Sequence, residues 1–264
     1  MNHVIKNEVM RKEWEKRFCC LYYDFLFHNT LFIVMDNNND PQYNLSEKQT
    51  SFVLKILSKY KNVRWAYLFV HHPIWKYNTD GRFAEIEKAL NGRRFTVFAG
   101  HEHQYHYYER NGADYYILST SGGGNPLRGN YMGEFDHIFW VTSTDHGPII
   151  ANLRLDGILP HNISNDLTSS MAVPMLENAA LKGILLSKQE DHFKHGTYYL
   201  YFLNPTAFKL KININFLYDS QLILNNSVID TIVGPGSTNI FEIPIHSATP
   251  IAMDRLNHCV LPGN

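Results

Sequence analysis

Phe95-Thr96-Val97-Phe98-Ala99-Gly100-His101-Glu102-His103 is the stretch on which the fold reading turns. An apolar run of strand length ends at a glycine, and two histidines follow with one residue between them. Just upstream, Phe83 to Leu90 has helical spacing and is stopped by Asn91-Gly92, a left-handed C-cap signal. Before that helix, Ala66-Tyr67-Leu68-Phe69-Val70 reads as another buried strand, closing on His71-His72-Pro73. Strand, helix and strand joined by short links predict an α/β layered architecture. Both histidine clusters then stand just past strand C-termini, where open α/β sheets gather their ligands.

Working outward, Ser46 with Gln49 three residues on is a capping-box pattern, and Phe52, Val53, Ile56, Leu57 and Tyr60 fall on one face of the helix it starts. Val9 to Arg17 is read as a short helix, and Leu21 to Phe25 and Leu31 to Asp36 as two paired strands. The polar run Asn37-Asn38-Asn39-Asp40-Pro41 breaks the pattern. Toward the C-terminus, Tyr115 to Ser119, His137 to Ser143 and Ile149 to Leu155 are predicted strands. The glycine-rich Ser121-Gly122-Gly123-Gly124-Asn125-Pro126 between the first two lacks the lysine-serine pair and following helix of a P-loop, and is read as a mobile loop near the site that could line a substrate pocket.

Composition changes near Asn162 to Thr168. Beyond it, Tyr198 to Phe202, Lys209 to Phe216, Gln221 to Leu224 and Asn239 to Ile245 are short strand candidates. Leu210, Ile212, Ile214 and Phe216 alternate there with Lys209, Lys211, Asn213 and Asn215. The expected division is residues 1–162 for the α/β part and 168–264 for a small appended β-sandwich without a catalytic cluster.

The chain has 264 residues and a formal net charge of -1, so no overall basic field argues for a nucleic acid or an anionic membrane as partner. Its three cysteines, Cys19-Cys20 and Cys259, give neither a disulfide framework nor a Cys-x-x-Cys pair. No apolar run approaches the roughly 20 residues of a membrane-spanning helix, and Met1 to Trp14 is too polar for a signal peptide. As written, the chain reads as soluble and unexported, provided that Met1 is the true start. Asn162-Ile163-Ser164 and Asn225-Asn226-Ser227 match a glycosylation acceptor pattern that chance also produces often.

Metal binding is the chemistry that the histidines suggest. Alternate residues of an extended segment point to one side, so His101 and His103 could present both imidazoles to one volume, with Gly100 letting the backbone turn. His71, at the end of the other strand, could join them. Alone, His71 would read as a hydrogen-bonded histidine before a proline turn, and His72 and His106 are read as structural or as supporting the metal ligands from behind. Imidazole with oxygen donors suits zinc, iron or manganese. A zinc peptidase reading is disfavoured because there is no His-Glu-x-x-His.

Val70-His71-His72-Pro73 and Gly100-His101-Glu102-His103-Gln104-Tyr105, the latter continuing through Tyr108-Glu109-Arg110, resemble motifs of the calcineurin-like metallophosphoesterases, which include the purple acid phosphatases. The resemblance runs from about Asn2 to Leu159. It implies an αββα sandwich and hydrolysis of a phosphate ester at a two-metal centre. That family builds its centre from Asp-x-His, Gly-Asp-x-x-Asp, Gly-Asn-His-Asp or Glu, a lone His, and Gly-His-x-His. Here Asn2-His3 looks like the remainder of the third motif, with Met1 at its glycine position and Val4 at its acidic one, and the first two motifs are absent.

Carried over position by position, the resemblance implies one metal held by Asn2, His71 and His101. His103 is left to a second metal whose other ligands are missing, and His3 corresponds to the proton donor. One metal per chain, Mn, Fe or Zn, is therefore expected, in a chain that is a fragment of a longer phosphoesterase with its first strands upstream. The alternative is a truncated protein with weak or no catalysis, acting as a metal-binding or interaction module. Relatives are often exported, and a signal peptide would then lie upstream. Arg82 and Arg128, in loops near the predicted site, are candidates to meet the substrate phosphate in bidentate fashion. Substrate identity and oligomeric state have no readable pattern here.

Overall fold

The computed structural model describes residues 8–38, 43–77, 81–178, 180–187 and 191–256. Two compact units are present, Met1–Ser169 and Ser170–Asn264. The architecture is mixed α/β with several sheets and more strand than helix. Among the described residues no helix is long and apolar enough to cross a membrane.

The first unit opens with helix α1 (Glu8–Phe18), followed by strands β1 (Tyr23–Phe27) and β2 (Thr30–Val34), helix α2 (Glu47–Lys59), strand β3 (Trp65–Phe69), a single turn α3 (Ile74–Tyr77) and helix α4 (Arg82–Leu90). Then come β4 (Phe95–Ala99), β5 (His106–Arg110), β6 (Ala113–Ile117), β7 (Ile138–Thr144), β8 (Gly147–Arg154) and β9 (Gly157–Pro160). Helix α5 (Asp166–Glu177) runs across the boundary between the units.

Six strands form one sheet in the order β1-β2-β3-β4-β6-β5. β2, β3, β4 and β6 run parallel in sequence of pairing, and the antiparallel strands β1 and β5 are its edges. β7, β8 and β9 make a separate antiparallel sheet. The parallel strands are apolar on both faces because both are covered. Leu31 and Ile33, Ala66 and Leu68, and Phe95 and Val97 face a core shared with Val53, Ile56 and Leu57 of α2 and Phe83, Ile86 and Leu90 of α4. The intervening Tyr67, Phe98 and Tyr116 face an aromatic core completed by Tyr105 and Phe135, against which Phe32, Phe69 and Phe139 also pack.

α2 starts as its cap predicts: Ser46 Oγ accepts from Gln49 N–H at 3.2 Å. Only half of the capping box forms. The Gln49 side chain turns to Asp36 instead, with Nε2 donating to the Asp36 carbonyl at 2.7 Å and Oε1 accepting its N–H at 2.9 Å, which ties α2 to the end of β2. β1 leaves Phe25, Leu26 and Phe27 exposed at the sheet edge.

The second unit contains β10 (Leu181–Ser187), β11 (His192–Leu203), β12 (Leu210–Asn215), β13 (Leu222–Leu224), β14 (Val228–Val233), β15 (Thr238–Ala252) and the short helix α6 (Met253–Leu256). A four-stranded sheet, β10-β11-β15-β13, and the β12-β14 pair enclose one apolar core that includes Phe193, Leu200, Ile212, Ile214, Val233 and Ile245.

Candidate metal centre

The site stands at the C-terminal ends of β3 and β4. Val70 N–H donates to the Phe98 carbonyl at 3.0 Å and Gly100 N–H to the His71 carbonyl at 2.9 Å, so the residues leaving the two strands stay side by side. One ring nitrogen from each of His71, His72 and His101 lies within 4.8 Å of the other two. The rings of His72 and His101 are 3.8 Å apart at their centroids, and those of His71 and His101 5.3 Å.

His101 arrives there by a route other than strand alternation. β4 ends at Ala99, and both histidines of the pair have left-handed backbone, His101 at φ 72° and His103 at φ 54°. Glu102 N–H donates back to the Gly100 carbonyl at 2.9 Å, closing a tight reversal. The extended continuation expected past Gly100 is thus replaced by a turn, and the two imidazoles diverge. His101 enters the cluster, whereas His103 Nδ1 lies 3.2 Å from the Gly124 carbonyl. Positive φ is uncommon for residues other than glycine, and its concentration here marks a loop held in a defined shape.

Restraints from elsewhere in the chain hold that shape. Glu102 accepts from Lys76 Nζ at 2.8 and 2.9 Å and from the Tyr77 hydroxyl at 3.2 Å, so α3 clamps the loop. Asn37 is fully buried. Its Nδ2 donates to the His72 and Tyr43 carbonyls, each at 3.0 Å, while its Oδ1 accepts His72 N–H at 3.0 Å. Tyr43 stacks on the His72 ring at 3.9 Å. On the far side, Ser119 Oγ and Asn125 Nδ2 donate to the His103 carbonyl at 3.0 and 2.9 Å. His137 Nε2 accepts from Ser119 N–H at 3.2 Å, below the glycine-rich loop.

Burial is the first cause that keeps the cluster unprotonated. It pushes His71 down to about 3, aided by the neighbouring imidazoles of His72, His101 and His103. It pushes His72 down to about 4, aided by His101, and it lowers His101 as well, against an opposing pull from Glu102. His71 Nε2 and His72 Nδ1 are buried without a hydrogen-bond partner. A buried polar nitrogen left unpaired costs free energy, and two such nitrogens on adjacent histidines of the cluster are what a borderline metal ion would satisfy. The donor set therefore fits a transition ion. A tetrahedral centre with metal–nitrogen bonds of about 2.0–2.1 Å holds its nitrogens about 3.4 Å apart, so the imidazoles would draw together by at most about 1.4 Å.

The cluster opens on a cleft of about 760 Å³ whose walls include Trp14, His71, His101, His103, Ser121 and Gly122. Three of the candidate metal ligands, His71, His101 and His103, thus share one cleft, although His103 stands outside the tight triad. Asn2 and His3, the other two candidates at the centre, lie outside the described residues. The candidate phosphate contacts are engaged elsewhere: Arg128 Nε donates to Glu134 Oε2 at 2.6 Å with a second bond from Nη2 to Oε1, and Arg82 Nη1 donates to the Leu45 carbonyl at 2.9 Å. His106 pairs with Asp166 at 3.0 Å.

Sequence reasoning passed over His72, Asn37 and Tyr43. The adjacency of His72 to a strand-end histidine was a usable signal. Nothing local distinguishes Asn37, whose partner His72 is 35 residues away. No protein-family model matches the chain, and no curated protein matches it.

Proposed function

We propose that the first unit is a metal-dependent hydrolase of phosphate esters, built on a calcineurin-like αββα sandwich, in which His71, His72 and His101 hold a transition ion. The carrying observation is the convergence of three neutral imidazoles at the ends of adjacent parallel strands, two of them with a buried, unpartnered ring nitrogen. The resemblance of Val70-His71-His72-Pro73 and Gly100-His101-Glu102-His103 to that family supplies the reaction class.

Bound there, manganese, iron or zinc supplies Lewis-acid polarisation of a phosphoryl oxygen and a nucleophile near neutral pH. The chain's own residues do the rest. Burial of His71 and His72 keeps both lone pairs available without proton competition. Taken as a donor to the Gly124 carbonyl, His103 Nδ1 carries the proton and leaves Nε2 as the acceptor. With Arg128 held in a two-bond pair by Glu134, groups that can meet phosphoryl oxygens in the cleft include the backbone amides of Gly122 and Gly123, beside which no side chain would crowd a ligand.

Protein purified and loaded with manganese, iron or zinc is expected to retain about one ion per chain and to hydrolyse an aryl phosphate, with both properties lost in His101→Ala. Failure to retain metal, or turnover no higher than that of His101→Ala, overturns the proposal. A second reading, metal binding without catalysis, is favoured by one observation: the triad contains no carboxylate. Retained metal without turnover above His101→Ala selects it.

A further inference from the structure

The opposite end of the sheet carries a second hollow. The turns leading into β3 and β4 surround a space of about 310 Å³, and Lys61, Arg64, Arg93 and Arg94 are four of its lining residues. The others are apolar or glycine, and none is acidic. β3 has 5 residues, which puts this hollow about 16 Å from the histidines along the strand.

Two of the four cations are held in place by the protein. Arg93 Nη1 donates to the Tyr60 carbonyl at 3.1 Å. Arg64 Nη1 meets Asp145 at 2.5 Å, and its Nη2 lies 3.4 Å from both Thr30 Oγ1 and Ser143 Oγ. Arg64 Nε is buried and has no hydrogen-bond partner. Neither Lys61 nor Arg94 has a side-chain partner among the described residues. Among the described residues Asp145 is thus the single carboxylate engaged with the group, and positive charge remains in excess in a chain whose formal net charge is -1.

We infer that the hollow formed by Lys61, Arg64, Arg93 and Arg94 is a binding site for a small polyvalent phosphate-type anion. Cations gathered around a concave surface focus positive potential into it, and their mutual repulsion is relieved only by an anion of matching charge. Guanidinium forks suit the paired oxygens of a tetrahedral oxyanion, and a lysine ammonium adds a mobile point charge. A monovalent carboxylate would leave much of that charge uncompensated. Arg64 is bonded through both Nη1 and Nη2 and so supplies charge to the hollow more than an open fork, Arg93 is held through Nη1 alone, and Lys61 and Arg94 supply the adjustable donors. The site is independent of the histidine centre and of any reaction there.

Calorimetric titration of the full chain, freed of metal with a chelator and held at constant ionic strength, tests the inference with inorganic phosphate, a phosphomonoester and acetate. One equivalent of phosphate or phosphomonoester is expected to bind, acetate is not, and the tighter of the two phosphates identifies the source. Lys61→Gln and Arg94→Gln should each weaken binding by about tenfold or more, with the fold verified by circular dichroism. Lys182→Gln, in the second unit, and His101→Ala should leave it unchanged. No saturable binding, equal binding of acetate, an equal loss in Lys182→Gln, or a loss in His101→Ala would each overturn the inference.

Discussion

Glu102 is the residue whose replacement best tests how the histidine loop is held. Its side chain is 17 % exposed and that of Lys76 is 45 % exposed, so their ion pair is partly screened and contributes about 0.2–1 kcal/mol. The Tyr77 hydroxyl bonds to the same carboxylate, an interaction worth about 1.5–3 kcal/mol when dry and less at this half-open site. Glu102→Ala therefore removes about 1–2 kcal/mol from the clamp. Left-handed backbone at a residue with a side chain costs about 1–2 kcal/mol, and residues of that kind flank Glu102 on both sides. The two residues together store about 2–4 kcal/mol, which the clamp offsets in part. Without the clamp the loop relaxes toward extended backbone, and His101 leaves the reach of His71 and His72.

For a unit of this length, 1–2 kcal/mol lowers the melting temperature by about 2–8 °C. Zinc affinity, measured by competition with a chromophoric chelator, should fall by about tenfold or more, because the metal must then restore the loop itself. Glu102→Gln, which keeps an acceptor for Tyr77 and Lys76 but not the charge, should fall between wild type and Glu102→Ala. Wild-type zinc affinity in Glu102→Ala would refute the reasoning even if the melting temperature dropped, since the clamp would then stabilise the fold without positioning the histidine.

Three further outcomes are expected. Metal-free protein should lose stability as pH falls: His71 and His72 stay neutral down to about 3 and about 4 in the folded chain, whereas the unfolded chain takes up protons below about 6.5, so stability is complete above that pH and declines by up to about 1.4 kcal/mol per pH unit per histidine below it. Urea midpoints in the presence of a chelator check this, and a flat profile from pH 7 to 4 would contradict it. Asn37→Ala leaves the His72 N–H buried and unpaired, and should cost about 2–3 kcal/mol by chemical denaturation together with a loss of zinc affinity. Gly133→Ala places a Cβ 1.9 Å from the Tyr105 carbonyl oxygen at φ +70°, so it should destabilise by more than about 3 kcal/mol, seen as loss of soluble, cooperatively melting protein.

The parallel core was legible because burial on both faces makes its strands apolar without interruption, and Phe95–Ala99 emerges with the bounds its sequence suggests. β5 was not, because His106-Tyr107-Tyr108-Glu109-Arg110 is a half-exposed edge whose strand character comes from pairing with β6. α5 escaped for a different reason: it carries Pro174 in its interior and shows no apolar stripe. At the site, the rule that ligands gather past strand C-termini located His71 and His101 correctly relative to one another. It failed to anticipate the turn at His101, since positive φ is uncommon at residues other than glycine and the enrichment of histidine there is too weak a signal to override an extended reading.

Each member of the triad is tied by a different long-range bond. His71 is pinned through its carbonyl to Gly100, His72 through its amide and carbonyl to Asn37, and the loop bearing His101 through Glu102 to α3. The three ties reach the backbone or a neighbouring side chain and leave the rings of His71 and His72 with unpaired nitrogens. An arrangement selected only for stability would turn those nitrogens toward hydrogen-bond partners, because each unpaired one is a cost the fold carries. Rigid backbone support with unsatisfied side-chain donors is the arrangement in which a ligand's binding energy is spent on the ligand and little on ordering the protein. That distribution of restraint, more than the count of histidines, is the physical reason to propose metal binding at this end of the sheet.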